Sequence, residues 1–296
     1  MFRKMLYLTS LTIVVLMLSA CGAYISINPF TAEETVTQSF TPAASPRIVV
    51  EMFNGSVDVV TGSDNTVKVD VIKRGGGVSQ QAAEDDLKNV EVTLTQDGDT
   101  IRVVAKRADQ RVDIGNSGAS VKLRVPTGAS LDLRSSNGPI TTSGPASDMK
   151  ARTSNGPITA RGSLGQIDLN TSNGPITVDG GSGAIDVETS NGPVDVTADN
   201  AVVTGRTSNG PVRFSGSLAP GRSEMSTSNG SIVVTLPADA QFVVDANTSN
   251  SKISSDFAVT SQDSSDNRLR GTVGNDPGVT LSLQTSNGPI EIRQSQ

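Results

Sequence analysis

The chain has 296 residues, with no His, no Trp, one Cys and only 3% aromatics. This excludes a Ser-His-Asp triad, a Cys-His pair, a His or Cys metal cage and an intrachain disulfide. The net charge is −6, and −8 (22 cations against 30 anions) once residues 1–20 with Arg3 and Lys4 are set aside; without a basic cluster or aromatic stacking platforms, nucleic acid is not an expected partner.

Residues 1–20 read as an address rather than a structural element. A short basic start is followed by an apolar stretch from about Leu6 to Leu18, too short for a comfortable membrane span. It ends in Leu18-Ser19-Ala20-Cys21-Gly22, which resembles the lipobox of bacterial lipoproteins. Cys21, the only thiol, would carry a diacylglycerol, and its freed amine a further palmitate-type acyl chain. Two or more chains give stable anchoring where one is marginal. The expected partner of this segment is a membrane surface in the cell envelope. Gly22 rather than Asp favours the outer membrane if the source is Gram-negative. Residues 21–46, with Pro29, Pro42 and Pro46 among Ser, Thr and Ala, are expected to be the acylated Cys and a flexible tether.

Residues 47–296 are expected to form one domain. Alternating apolar positions predict strands over Arg47–Phe53, Ser56–Val60, Val67–Lys73, Val90–Thr95, Thr100–Ala105, Ser120–Val125 and Ser130–Arg134. Ser79–Lys88, rich in Ala, Gln, Glu and Asp, predicts one short inserted helix.

A repeat then dominates. Ser-Asn-Gly-Pro-Ile/Val recurs at Asn137, Asn155, Asn173, Asn191 and Asn209, always 18 residues apart. Variants follow at Asn229 and Asn250, and a full copy returns at Asn287. Three residues after each Asn stands Ile or Val. A second apolar set, such as Ile167 and Leu169, lies nine residues after Ile158 and Ala160, so each repeat holds two short strands. An antiparallel meander with Asn-Gly hairpins would also fit. However, Pro139, Pro157, Pro175, Pro193 and Pro211 lack the N–H that closes a two-residue hairpin. The pattern therefore predicts an all-β fold, a parallel β-solenoid with about 18 residues per coil. The eight Asn side chains would stack as a hydrogen-bonded structural ladder. Gly180-Gly181-Ser182-Gly183 is a single glycine-rich turn and lacks the Asp of calcium-binding rolls, so neither metal nor cofactor is expected. Val125-Pro126-Thr127-Gly128-Ala129 is echoed by Leu236-Pro237-Ala238-Asp239-Ala240. Ser261–Asn267 reads as a polar loop and Val279–Arg293 as the final coil. About twelve coils at ~4.8 Å each would give a rod of roughly 50–60 Å.

In order, these features are Asn54-Gly55-Ser56-Val57, the inserted helix, Val125-Pro126, the Thr-Ser-Asn-Gly repeats, Leu269-Arg270-Gly271-Thr272-Val273-Gly274 and Thr285-Ser286-Asn287-Gly288-Pro289-Ile290. Together they resemble the bacterial "putative adhesin" family of β-solenoid domains, over about residues 47–296. The resemblance implies a parallel β-solenoid of either hand in the cell envelope and transfers no catalytic residue. Many relatives carry Asp or Ser where this chain has Pro after Asn-Gly, which implies a stiffer corner here.

Outward positions form rows, one holding Thr141, Thr159, Thr177, Asp195 and Arg213. The expected function is a non-enzymatic envelope lipoprotein whose solenoid contacts an envelope protein or a cell-surface glycan. Self-association is a further expected contact, because an open strand edge invites pairing. Stacked Asp168 and Asp186 motivate an alternative, a carbohydrate-active β-helix enzyme acting on an acidic polysaccharide.

Overall fold

The computed structural model describes residues 30–42, 45–108, 117–275 and 277–295. The address segment and Cys21 lie outside them. Apart from one helix, Gln80–Lys88, the described chain is all-β, and its 23 strands join into one continuous sheet.

Two parallel ladders run side by side. In spatial order the first is Thr100–Arg107, Arg47–Met52, Ser130–Asn137, Met149–Asn155, Ile167–Asn173, the second halves of Ile176–Asn191 and Val194–Asn209, then Gly221–Asn229, Val279–Thr285 and Phe242–Thr248. The second is Gly118–Pro126, Val57–Gly62, Ile140–Ser143, Ile158–Arg161, the first halves of the same two long strands, then Val212–Leu218, Ile232–Leu236, Ile290–Gln294 and Ile253–Ser255. Each ladder has ten members, so the body has ten layers. In the central layers Met149 pairs with Ile167 and Ile167 with Ile185, and Ile140 with Ile158 and Ile158 with Ile176.

This register aligns identical apolar side chains into columns. Ile140, Ile158, Ile176, Val194, Val212, Ile232 and Ile290 stack in one, all fully buried. Leu131, Met149, Ile167, Ile185 and Val203 form another. Strand alternation places the intervening residues outside, as in the pattern buried–outside–buried along Ile158-Thr159-Ala160-Arg161. Each layer buries few side chains, so stability comes from contact between neighbours.

The layers do not follow chain order at either end. After Gly118–Pro126 the chain skips a layer before Ser130, and Arg47–Gly62 fills the gap. After Ile232–Leu236 it skips another before Phe242, and Val279–Gln294 fills that gap. The two echoed proline segments are the turns at these skips, closed by Ala129 N–H to the Pro126 carbonyl (3.2 Å) and Ala240 N–H to the Pro237 carbonyl (3.0 Å).

Antiparallel strands close both ends, which is why ten layers form rather than about twelve. At one end Val90–Asp97 pairs with Thr100–Arg107, and Val67–Gly77 pairs with Gly118–Pro126. The helix lies directly on Gly75 and Gly77. A Cβ at Gly75 would sit 2.4 Å from the Ala83 carbonyl oxygen, and one at Gly77 2.5 Å from the Ala83 nitrogen. Ser79 caps the helix by accepting the Ala82 N–H. At its other end Lys88 donates to Asp85, which lowers the Asp85 pKa and raises that of Lys88. At the far end of the body, Arg268–Val273 and Thr260–Ser265 add on antiparallel, and Phe257 meets Phe242 edge to face at 5.2 Å.

Two expectations need correction. Phe30–Phe40, within the stretch read as tether, is a strand antiparallel to Val67–Gly77 along all eleven residues. Its buried Phe40 and the pairs Glu33–Arg74 and Glu34–Lys73 hold it there, although its composition reads as linker. Residues 261–265, read as loop, belong to the strand Thr260–Ser265. That strand adds at the margin of the end cap, so its composition stays polar.

The skipped layer predicts a strong dependence on the last segment. A chain ending at residue 278 leaves Gly221–Leu236 and Phe242–Ser255 without the strands that join them. Hydrogen exchange should then show loss of protection throughout residues 237–275, not only at the new terminus.

Candidate functional site: the Asn corner and the outward rows

The repeated Thr-Ser-Asn-Gly-Pro string forms one edge of the body, and four of its residues have separate tasks. Asn155 Nδ2 donates to Asn137 Oδ1 at 2.7 Å across 18 residues. The same bond joins Asn173 to Asn155 (2.9 Å), Asn191 to Asn173 (2.9 Å), Asn209 to Asn191 (3.0 Å) and Asn229 to Asn209 (2.9 Å). Asn287 then donates to Asn229 (2.9 Å) and Asn250 to Asn287 (2.8 Å). Asn287 thus stands between Asn229 and Asn250, as the skipped layer demands. At the other end Gly55 stacks on Gly138, but Asn54 Nδ2 turns to the Ser117 carbonyl at 2.8 Å.

The glycine makes the close approach possible. A Cβ on Gly174 would lie 2.3 Å from the Gly156 carbonyl oxygen, and φ there is +155°. Gly138, Gly156 and Gly210 stand in the same relation to the layer before them.

The threonine is the member that the sequence reading overlooked. Thr153 donates its hydroxyl to the Gly138 carbonyl at 3.2 Å, Thr171 to Gly156 at 3.1 Å, and Thr189 and Thr207 to Gly174 and Gly192 at 3.0 Å. Thr227, Thr285 and Thr248 repeat the bond to Gly210, Gly230 and Gly288, and Ser135 serves Gly55. These hydroxyls are buried, in column with the apolar core. A polar residue at an inward position of every repeat was the available signal. Proline therefore leaves no carbonyl unsatisfied. Where Ser231 replaces it, the Gly210 carbonyl still takes the Thr227 hydroxyl, at 2.9 Å. The proline's own carbonyl accepts from the layer before, as from Ile140 N–H to Pro157 at 3.0 Å.

The outward rows are in register. Thr141, Thr159, Thr177, Asp195 and Arg213 are successive partners, and Arg213 bonds Asp195 at 3.1 Å. Lys150, Asp168, Asp186 and Thr204 form the next row, with Arg152, Asn170, Glu188 and Arg206 beside it. Asp168 and Asp186 are register partners, but each faces cations. Asp168 Oδ2 lies 3.4 Å from Lys150 and 3.1 Å from Arg152, and Asp186 lies 3.9 Å from Arg206. Arg206 also reaches Glu224 at 3.4 Å. These exposed pairs contribute about 0–1 kcal/mol each, so they order the face more than they stabilise it. Both carboxylates are exposed on the sheet face and paired with cations rather than enclosed in a cleft. Among the described residues no group of three or more His, Cys, Asp or Glu is placed to hold a metal ion.

A family model described as Toastrack DUF4097 matches residues 46–293. No curated protein matches the chain. Similar solved structures include the following three. A "putative cell adhesion protein" from Clostridium sporogenes is 10% identical, with 89% of this chain and 100% of that one covered and a TM-score of 0.23. A "putative adhesin" from Bacteroides fragilis is 11% identical, covering 87% and 96%, with a TM-score of 0.36. A "putative lipid binding protein" from Parabacteroides distasonis is 13% identical, covering 87% and 96%, with a TM-score of 0.28.

The corner geometry predicts a ranked mutant series at one layer. Gly174→Ala should cost on the order of 3 kcal/mol, because backbone must move. Thr171→Val should cost about 1–3 kcal/mol by stranding the Gly156 carbonyl. Asn173→Ala, which removes two exposed bonds, should cost about 1 kcal/mol. Urea unfolding of the three variants checks the order.

Proposed function

The chain belongs to the Toastrack DUF4097 family, and we propose that it is a non-enzymatic cell-envelope lipoprotein whose outward rows make adhesive or protein–protein contacts. The observation that carries this reading is the in-register outward face, where Thr141, Thr159, Thr177, Asp195 and Arg213 present hydroxyls and charges at one constant spacing. An array held on paired strands has little loop ordering left to lose on binding, which is one of the costs of association.

The body is a parallel β-solenoid whose central coil is 18 residues. Support comes from the 18-residue separation of successive Asn–Asn bonds and from the pairing of both strands of a repeat with those of the next. The solenoid domain spans 47–296, with Phe30–Phe40 added to its edge. Residues 1–20 are the lipoprotein signal, and Cys21 carries the acyl chains. Residues 22–29 remain as tether. If the envelope has two membranes, Gly22 directs the protein to the outer one.

Two measurements on the full chain in its own cells test this. Cys21→Ser should abolish palmitate incorporation and release the protein from the membrane fraction. A photo-crosslinking residue at Thr159 or Thr177 should yield discrete adducts with an envelope protein or glycan. An acylated chain that gives no adduct at either position would contradict the contact role.

A further inference from the structure

The end of the body that carries the helix holds two exposed apolar side chains. Val78 is 74% exposed and Phe30 is 41% exposed, two of only four large apolar residues exposed to this degree among those described. They are neighbours, since Phe30 pairs with Gly77, the residue before Val78. Val78 in turn precedes Ser79, the cap of the helix Gln80–Lys88. The strand Phe30–Phe40 needs no exposed aromatic for its own pairing. Its apolar contribution to the core comes from Ala32, Val36 and Phe40.

The position of Phe30 in the chain says what covers this pair. Phe30 is the ninth residue after Cys21. Nine residues span at most about 30 Å even when fully extended. The far end of the body is nine layers away from the helix end, roughly 43 Å at ~4.8 Å per layer. An anchor at Cys21 therefore keeps the helix end within tether reach of the bilayer, and no comparable constraint acts on the far end. Apolar side chains held next to a bilayer gain by entering its interfacial zone.

From this we infer that Phe30 and Val78 insert into the lipid interface, so that the body stands on its helix end and the outward rows run away from the membrane along its sides. What covers the pair is the lipid surface that holds the acyl chains of Cys21. This deepens the anchor reading above and rests on it.

The test uses the full acylated chain in vesicles of phosphatidylethanolamine and phosphatidylglycerol. Cys21 is blocked by its lipid, so an added Cys can be labelled alone. Val78→Cys and Lys252→Cys are each labelled with an environment-sensitive fluorophore. Lys252 lies in the last layer, and its side chain is 82% exposed. The label at 78 should shift to the blue and be quenched by lipids carrying a nitroxide near the headgroup. The label at 252 should show neither effect. An acylated protein whose label at 78 behaves as the label at 252 does overturns this inference and leaves the anchor intact. Quenching at both positions means that the body lies flat, and also overturns it. Absence of acyl incorporation overturns the anchor and this inference together.

Discussion

The contact between one glycine carbonyl and the next glycine's missing side chain governs this structure. At Gly174 the space a Cβ would need is already taken by the Gly156 carbonyl oxygen, 2.3 Å away. That approach brings successive corners to strand spacing and leaves the carbonyl pointing into the body. A buried carbonyl without a partner costs about 1–3 kcal/mol, and it recurs at eight of the ten layers. A threonine or serine hydroxyl removes that cost each time, and the Asn–Asn bonds then tie the corners together on the outside. Proline fits because the Gly carbonyls of the corner take the threonine hydroxyl, as Gly210 does even where Ser231 stands in place of proline.

Once the corners are in register, the strands on either side of them are too, and the irregularities fall in the opposite turns, as between Asp179 and Gly183. Ile stacks on Ile inside, and Thr on Thr outside. The inside columns bury apolar surface, and the outside rows become the flat, charged and hydroxylated faces on which the proposed contact role depends. Extending such a stack indefinitely would leave aggregation-prone edges. The chain avoids this at both ends by the same device. A proline turn skips a layer, the segment at the corresponding end of the domain fills it, and antiparallel strands finish the edge. The first and last segments of the domain are therefore each held on two sides.

Much of this architecture was legible in residues 137–212, because 18-residue periodicity leaves few alternatives once Pro139 and its equivalents exclude hairpins. The Ser79–Lys88 helix was legible from its composition and cap. Other features were not, each for a physical reason. Thr171 looks like a core-column substitution until the orientation of the Gly156 carbonyl is known. The skipped layers are invisible because a sequence orders coils by number, and space does not. The echo of Val125-Pro126 in Leu236-Pro237 was the trace they left. Phe30–Phe40 was read as tether because an edge strand paired on one side has little apolar content to distinguish it from a linker.

The register claim is tested most directly by removing one repeat. Deleting residues 156–173 joins Asn155 to Gly174 and leaves every remaining Thr, Asn and Gly opposite its own kind. Deleting residues 156–172 removes one residue fewer and shifts every later layer against the earlier ones. The account predicts that the first variant unfolds in urea as a single cooperative transition close to the parent's midpoint, and that the second is unfolded or greatly destabilised. Equal behaviour of the two variants, whether both fold or both fail, would contradict it.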